Sequence, residues 1–271
     1  WSRLQRWCGI GPTASSSNGT AGGAAAGLLK RVRIRVMLPR FMLCRRGLGR
    51  TAKLPKFEML PLPQRCGLEA LGTAVIAFTI SRVGLADLNG FEQALAIGLC
   101  LAMLIHVIGR LSGAHFNPAV TVLLTQQRFG QAAFRSRESW LEASSYIVAQ
   151  IIGALIGFAL IPEQDTSSEF VLDGLIAEAV FSLALYGLIL RWSDEGRICP
   201  FAQPLSGLVI GAGLGFLAFI GGLTQCGIYN PAIAIGLSTH GMSGVVLAIV
   251  GEIIAVAILL PFAFRKPASA D

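Results

Sequence analysis

From residue 66 onward the chain is a succession of long apolar stretches separated by short polar or glycine-bearing joints. Six stretches predict membrane-spanning helices: approximately Cys66–Leu85, Gln93–Leu111, Leu141–Ile161, Val171–Leu190, Pro204–Leu223 and Ser243–Phe264. Each is close to the ~20 residues that a helix needs to cross a bilayer. Two further apolar runs, Ala119 to Leu124 and Ala232 to Leu237, are far too short to cross. Each of these opens on the same tripeptide, Asn117-Pro118-Ala119 or Asn230-Pro231-Ala232. Asn is a favoured N-cap and Pro is best tolerated in the first turn, so the spacing predicts a helix starting at each Asn. A helix that starts partway through a membrane needs its loop buried in protein or lining a water-filled path. Two such half-helices, one in each half of the chain, predict a pore. The predicted fold is therefore an all-α membrane protein of six transmembrane helices and two re-entrant half-helices. With three spans per half, the halves run in opposite directions, giving an inverted repeat.

The repeat extends to the acids. Glu69 lies in Leu68-Glu69-Ala70-Leu71-Gly72 and Glu178 in Ile176-Ala177-Glu178-Ala179-Val180, each well before the Asn of its own half. A carboxylate inside a membrane span is costly and marks function. Solvated acids at helix ends are the alternative, plausible for Glu69 and poor for Glu178. Glu252, in the sixth segment, has no role assigned by its neighbours. Gly153 and Gly157, and Gly207, Gly211 and Gly215, recur every four residues, a spacing that lets membrane helices approach closely. Gly211-Ala212-Gly213-Leu214-Gly215 has no strand before it and is read as packing rather than a nucleotide loop.

Composition agrees with the pattern: 54% of residues are hydrophobic and 14% charged, against about 25% charged in ordinary soluble domains. Residues 1–65 carry thirteen Lys and Arg against the single acid Glu58, whereas the rest of the chain is net acidic. The positive-inside rule then places both termini in the cytoplasm. The net charge of +7 is thus read as topology and not as a nucleic-acid surface. The six cysteines have no metal-ligand spacing, and no metal or cofactor is expected. The sequon at Asn18 faces the cytoplasm in this topology. The chain divides into a basic segment (1–65), a channel domain (66–264, repeats about 66–161 and 171–264) and a short tail (265–271). The basic segment reads as a disordered tail near anionic lipid, as a targeting leader, or in part as non-native sequence, Met59 being a sensible start.

The run Ser112-Gly113-Ala114-His115-Phe116-Asn117-Pro118-Ala119-Val120-Thr121, with Cys226-Gly227-Ile228-Tyr229 before the second triplet, resembles the two signature loops of the major intrinsic proteins, the aquaporin family. The likeness covers roughly Cys66 to Phe264. It implies a passive channel for water and small uncharged solutes, a homotetramer in membrane lipid with one pore per subunit, and no enzymatic chemistry. It also implies that Glu69 and Glu178 support the loops, and that His115 faces the vestibule or packs its loop. The four positions of the family's narrow constriction fall at Ile97, at Phe216 by local pattern or Ala218 by spacing, at Gly227 or Cys226, and at Ile233. The last is usually Arg; Ile removes a fixed charge and two donors and leaves an apolar ring. Cys226 near the lumen is a candidate mercurial site. The family commonly has Pro where Glu252 stands. Facilitation of glycerol, urea or ammonia is the alternative function, followed by a secondary transporter using Glu252 or a non-conducting adhesion member.

Overall fold

In the computed structural model, residues 59–130, 133–161, 172–198, 203–223, 227–239 and 245–263 are described. They form eight α-helices: α1 (Leu62–Leu85), α2 (Gly90–Ser112), α3 (Pro118–Phe129), α4 (Arg137–Ala159), α5 (Leu172–Ile198), α6 (Gln203–Leu223), α7 (Pro231–Ser238) and α8 (Val245–Leu259). A 3-10 turn, Leu260–Ala263, continues α8. Six of these, all but α3 and α7, are long and apolar enough to cross a membrane. α1 starts four residues earlier than the hydropathy suggests. Pro61 occupies its N-cap and Pro63 its first turn, and proline's fixed φ suits that position. The basic segment, other than its last residues, lies outside the described chain.

Packing follows the duplication. α1 packs chiefly on α4, and α5 on α8; α2 packs on α6; α3 touches α4 and α8, while α7 touches α8 and α4. Exchanging α1–α4 with α5–α8 maps this set of neighbours onto itself. Inside the bundle the small residues set the distance between helices. A Cβ at Gly153 would collide with the Ala70 carbonyl, and one at Gly98 would stand 2.5 Å from the Gly211 carbonyl oxygen. The α1–α4 and α2–α6 crossings are therefore backbone against backbone.

Outward faces are apolar. Leu95, Leu99, Met103 and Val107 form a four-residue stripe down α2, and Val148, Ile152 and Ile156 form another down α4, all exposed. In water such stripes would be a liability, whereas in hydrocarbon they are the solvated surface. The polar residues are gathered inside instead: Glu69, Thr73, Thr121, Gln150, Glu178, Ser182 and Glu252 are fully buried.

Candidate functional site

α3 and α7 start where the triplets predict. Asn117 Oδ1 accepts the Ala119 and Val120 backbone N–H groups at 2.8 and 3.3 Å, and Asn230 Oδ1 accepts that of Ala232 at 3.0 Å. Each oxygen thus satisfies amides that the first turn leaves without partners. Because the oxygen faces N–H groups, each amide nitrogen is turned toward the other half. Asn117 Nδ2 donates to the Tyr229 carbonyl at 2.7 Å, and Asn230 Nδ2 donates to the Phe116 carbonyl at 2.8 Å. One hydrogen of each is committed to the opposite loop, and the Asn117 side chain also meets the Tyr186 hydroxyl.

Those two carbonyls can turn toward the opposite Asn because of their backbone. Phe116 has φ 51° and Tyr229 φ 52°, both left-handed, where non-glycine residues are rare. Such a conformation costs on the order of 1 kcal/mol or more and persists only when surroundings enforce it. Here carboxylates enforce it from behind. Glu69 accepts the N–H groups of His115 (3.1 Å) and Phe116 (2.7 Å), the Ser112 hydroxyl (2.6 Å) and the Gln150 amide (2.9 Å). Glu178 accepts the N–H groups of Gly227 (2.9 Å), Ile228 (3.2 Å) and Tyr229 (2.5 Å). In each half an acid on the first spanning helix holds consecutive loop amides, and the loop's last carbonyl points forward to the partner Asn.

The surrounding residues brace this core. Tyr186 Oη donates to the Tyr229 carbonyl at 3.0 Å, and Tyr229 Oη to the Leu217 carbonyl at 2.9 Å. His115 packs edge-on against Tyr146, with Nδ1 3.3 Å from Thr121 Oγ1. At one end of this half, Glu142 pairs with Arg65 (3.2 Å) and Arg128 (2.5 Å). His106 is bonded to the Ala102 carbonyl of its own helix. Gln150, Thr121, Ser112 and Tyr186 were not singled out by sequence reasoning. Gln150 had a signal: Ile147-Val148-Ala149-Gln150-Ile151-Ile152 is repeated as Ile249-Val250-Gly251-Glu252-Ile253-Ile254.

The constriction residues divide. Ile233 is 2% exposed, in an apolar cluster with Leu104, Phe116 and Phe158, against which Leu101 and Ile228 also pack. Ile97 is half-buried and shares the i, i+4, i+7 stripe of α2 with Leu101 and Leu104. Gly227 has φ 127°, a backbone reserved for glycine, and stands beside the Tyr229 hydroxyl. Phe216 does not join them. It is 64% exposed, on the face of α6 turned away from Gly211 and Gly215, which pack on α2. A side chain closing a narrow passage would be enclosed, so Phe216 is corrected to the outer surface. Ala218, the alternative by spacing, is half-buried. Cys226 lies outside the described residues.

Two short helices that begin inside a bundle of six helices able to cross a membrane, each cap bonded to the opposite loop, are the architecture of an inverted-repeat transmembrane channel. The chain belongs to the major intrinsic protein family, whose model, "Major intrinsic protein", matches residues 62–243. It is similar to the "Aquaglyceroporin AqpS" of Rhizobium meliloti (strain 1021), 32% identical over 200 residues that cover 68% of this chain and 79% of the relative. It is also similar to the "Probable aquaporin AqpM" of Archaeoglobus fulgidus (32% over 194 residues; 61% and 74%) and to "Nodulin-26" of Glycine max (26% over 199 residues; 67% and 69%). The protein is accordingly an integral, multi-pass membrane channel for water and small solutes.

Proposed function

We propose that water and small uncharged solutes cross passively past the Asn117–Asn230 junction, and that ions are refused there. The observation that carries this is the reciprocal bonding of the two caps to the opposite loops. It supports an arrangement in which two helix N-termini, each worth about half a positive charge, face one another at the narrowest polar point. That field repels cations and protons, while the remaining amide hydrogens hold a passing oxygen as an acceptor. Lengths support the same picture. At 1.5 Å per residue α3 and α7 are about 18 and 12 Å long, together the thickness of the ~30 Å hydrocarbon core.

The filter beyond the junction is the apolar set Ile97, Gly227 and Ile233, with Ala218 at the fourth position. Without the usual Arg this ring is uncharged and admits neutral molecules larger than water, glycerol and urea among them. The printed name of the Rhizobium relative, an aquaglyceroporin, supports that choice. Both termini are cytoplasmic, a reading supported by Arg65 and Arg128 meeting at one end of the bundle. The exposed stripes of α2 and α4 suit lipid and neighbouring copies in a homotetramer.

The test is stopped-flow light scattering on proteoliposomes: shrinkage against an impermeant sugar, then reswelling in glycerol or urea. Fast shrinkage with reswelling above that of empty vesicles is the expected result. Fast shrinkage without reswelling would restrict the channel to water, and saturable, ion-coupled uptake would replace the channel with a transporter.

A further inference from the structure

The two halves differ at one fully buried position. In the first half the Glu69 carboxylate takes a side-chain donor from α4, the Gln150 amide, at 2.9 Å. The repeated run and the matching α1–α4 and α5–α8 pairings put Glu252 at the corresponding place on α8. Glu252 is 0% exposed, and both its carboxyl oxygens lack a hydrogen-bond partner. A Cβ at the preceding Gly251 would stand 3.2 Å from Glu178 Cβ, so the two helices touch at the second-half carboxylate. The groups nearest Glu252 are the Glu178 carboxyl and the Asn230 backbone N–H, the latter outside hydrogen-bond geometry, with Tyr186 as another ionisable neighbour. By sequence α7 and the 3-10 turn carry no ionisable side chain, and the one on α3, Arg128, is held by Glu142.

Two adjacent carboxyls in a membrane interior do not both ionise, because neither water nor a counter-cation offsets their repulsion. Their surroundings decide which keeps the proton. Glu178 accepts three backbone N–H groups and is built as the anion. Glu252 has no comparable set of donors, and as a neutral acid it gains one O–H of its own, with Glu178 as the natural acceptor. That O–H does for Glu178 what the Gln150 N–H does for Glu69.

We propose that Glu252 is a positioning residue for the second re-entrant loop, held as a neutral carboxylic acid whose O–H donates to the Glu178 carboxylate. The first loop is then supported by an amide, which cannot release its hydrogen, and the second by an acid, which can. Ionisation of Glu252 sets two negative charges behind Gly227, Ile228 and Tyr229 and disturbs the Tyr229 carbonyl that Asn117 holds. The second half of the path is therefore sensitive to alkali and the first is not.

Infrared spectroscopy of the full chain in lipid vesicles tests the protonation directly, independently of whether the protein conducts. The expected result at neutral pH is a carboxylic-acid carbonyl band that disappears in Glu252→Gln. An identical band in wild type and variant, or no band in either, overturns the proposal. Stopped-flow water flux tests the positioning role and rests on the channel function. Glu252→Gln should conduct and lack the loss of flux that wild type undergoes as pH is raised, while Glu252→Leu should fall about tenfold, the effect of losing one hydrogen bond to a charged group. If Glu252→Leu does not fold, the pH profiles of wild type and Glu252→Gln still decide. Superimposable profiles overturn the proposal, as does a Glu252→Gln protein that folds but is as defective as Glu252→Leu.

Discussion

Asn117 and Tyr229, from opposite halves of the chain, are joined by a 2.7 Å hydrogen bond from side-chain amide to backbone carbonyl. Asn230 and Phe116 repeat it at 2.8 Å. The two half-helices are therefore clasped to each other, and the bonds from Glu69 and Glu178 to the loops help to aim four groups: two amides and two carbonyls.

Replacing either Asn by Asp keeps the cap and removes the clasp. In Asn117→Asp a carboxylate oxygen would face the Tyr229 carbonyl, an acceptor against an acceptor. The expected cost is about 1–3 kcal/mol of stability, the penalty for a buried group that loses its partner. Thermal unfolding in detergent measures the loss. Proteoliposome flux should fall with it, and unchanged flux in folded protein would remove Asn117 from the path.

Gln150→Leu deprives Glu69 of one of its four donors and leaves a buried carboxylate oxygen short of a partner. A loss of about 1–3 kcal/mol is expected. Gln150→Glu is the more informative change, since it copies the second half into the first. It should make the first loop alkali-sensitive as well, seen as a steeper decline of water flux with rising pH than in wild type.

Ile233→Arg would set a charged group in the apolar ring proposed above. The expected outcome is a lower ratio of glycerol to water permeability, read from the same vesicles. An unchanged ratio in folded protein would place Ile233 outside the constriction, among the core residues with which it packs.

Gly153→Leu tests the close crossing of α1 and α4. No rotamer avoids the Ala70 carbonyl, because the clash is already at Cβ. Overpacking of this kind costs about 1–3 kcal/mol or more. Little monodisperse protein should be recovered, whereas Leu71→Ala, on the exposed face of α1, should leave recovery near wild type.

Much of this arrangement was legible in the residues. Long apolar runs located the six spans because hydrocarbon demands length and little else. Asn-Pro located both short helices because capping is local chemistry. What stayed hidden depends on contacts between distant segments. Nothing near Asn117 announces that its nitrogen will find Tyr229, and nothing near Phe116 or Tyr229 announces a left-handed backbone, which is imposed by Glu69 and Glu178 on other helices. Phe216 was misplaced because a local match says nothing about rotation, and the facing direction of α6 is set by Gly211 and Gly215 against α2. Gln150 was readable, but only by setting the fourth helix beside the eighth.

The clasp between Asn117 and Tyr229 also bears on how the protein is made. Synthesis delivers Asn117 to the membrane more than a hundred residues before Tyr229, and until then its amide has nothing in the opposite half to hold. Glu69, Ser112 and Gln150 are already present to brace the first loop, but its clasp to the second stays open while the nascent chain is half complete. The two reciprocal bonds of the clasp thus form only when both halves are in place, so a product truncated before Tyr229 lacks the clasp.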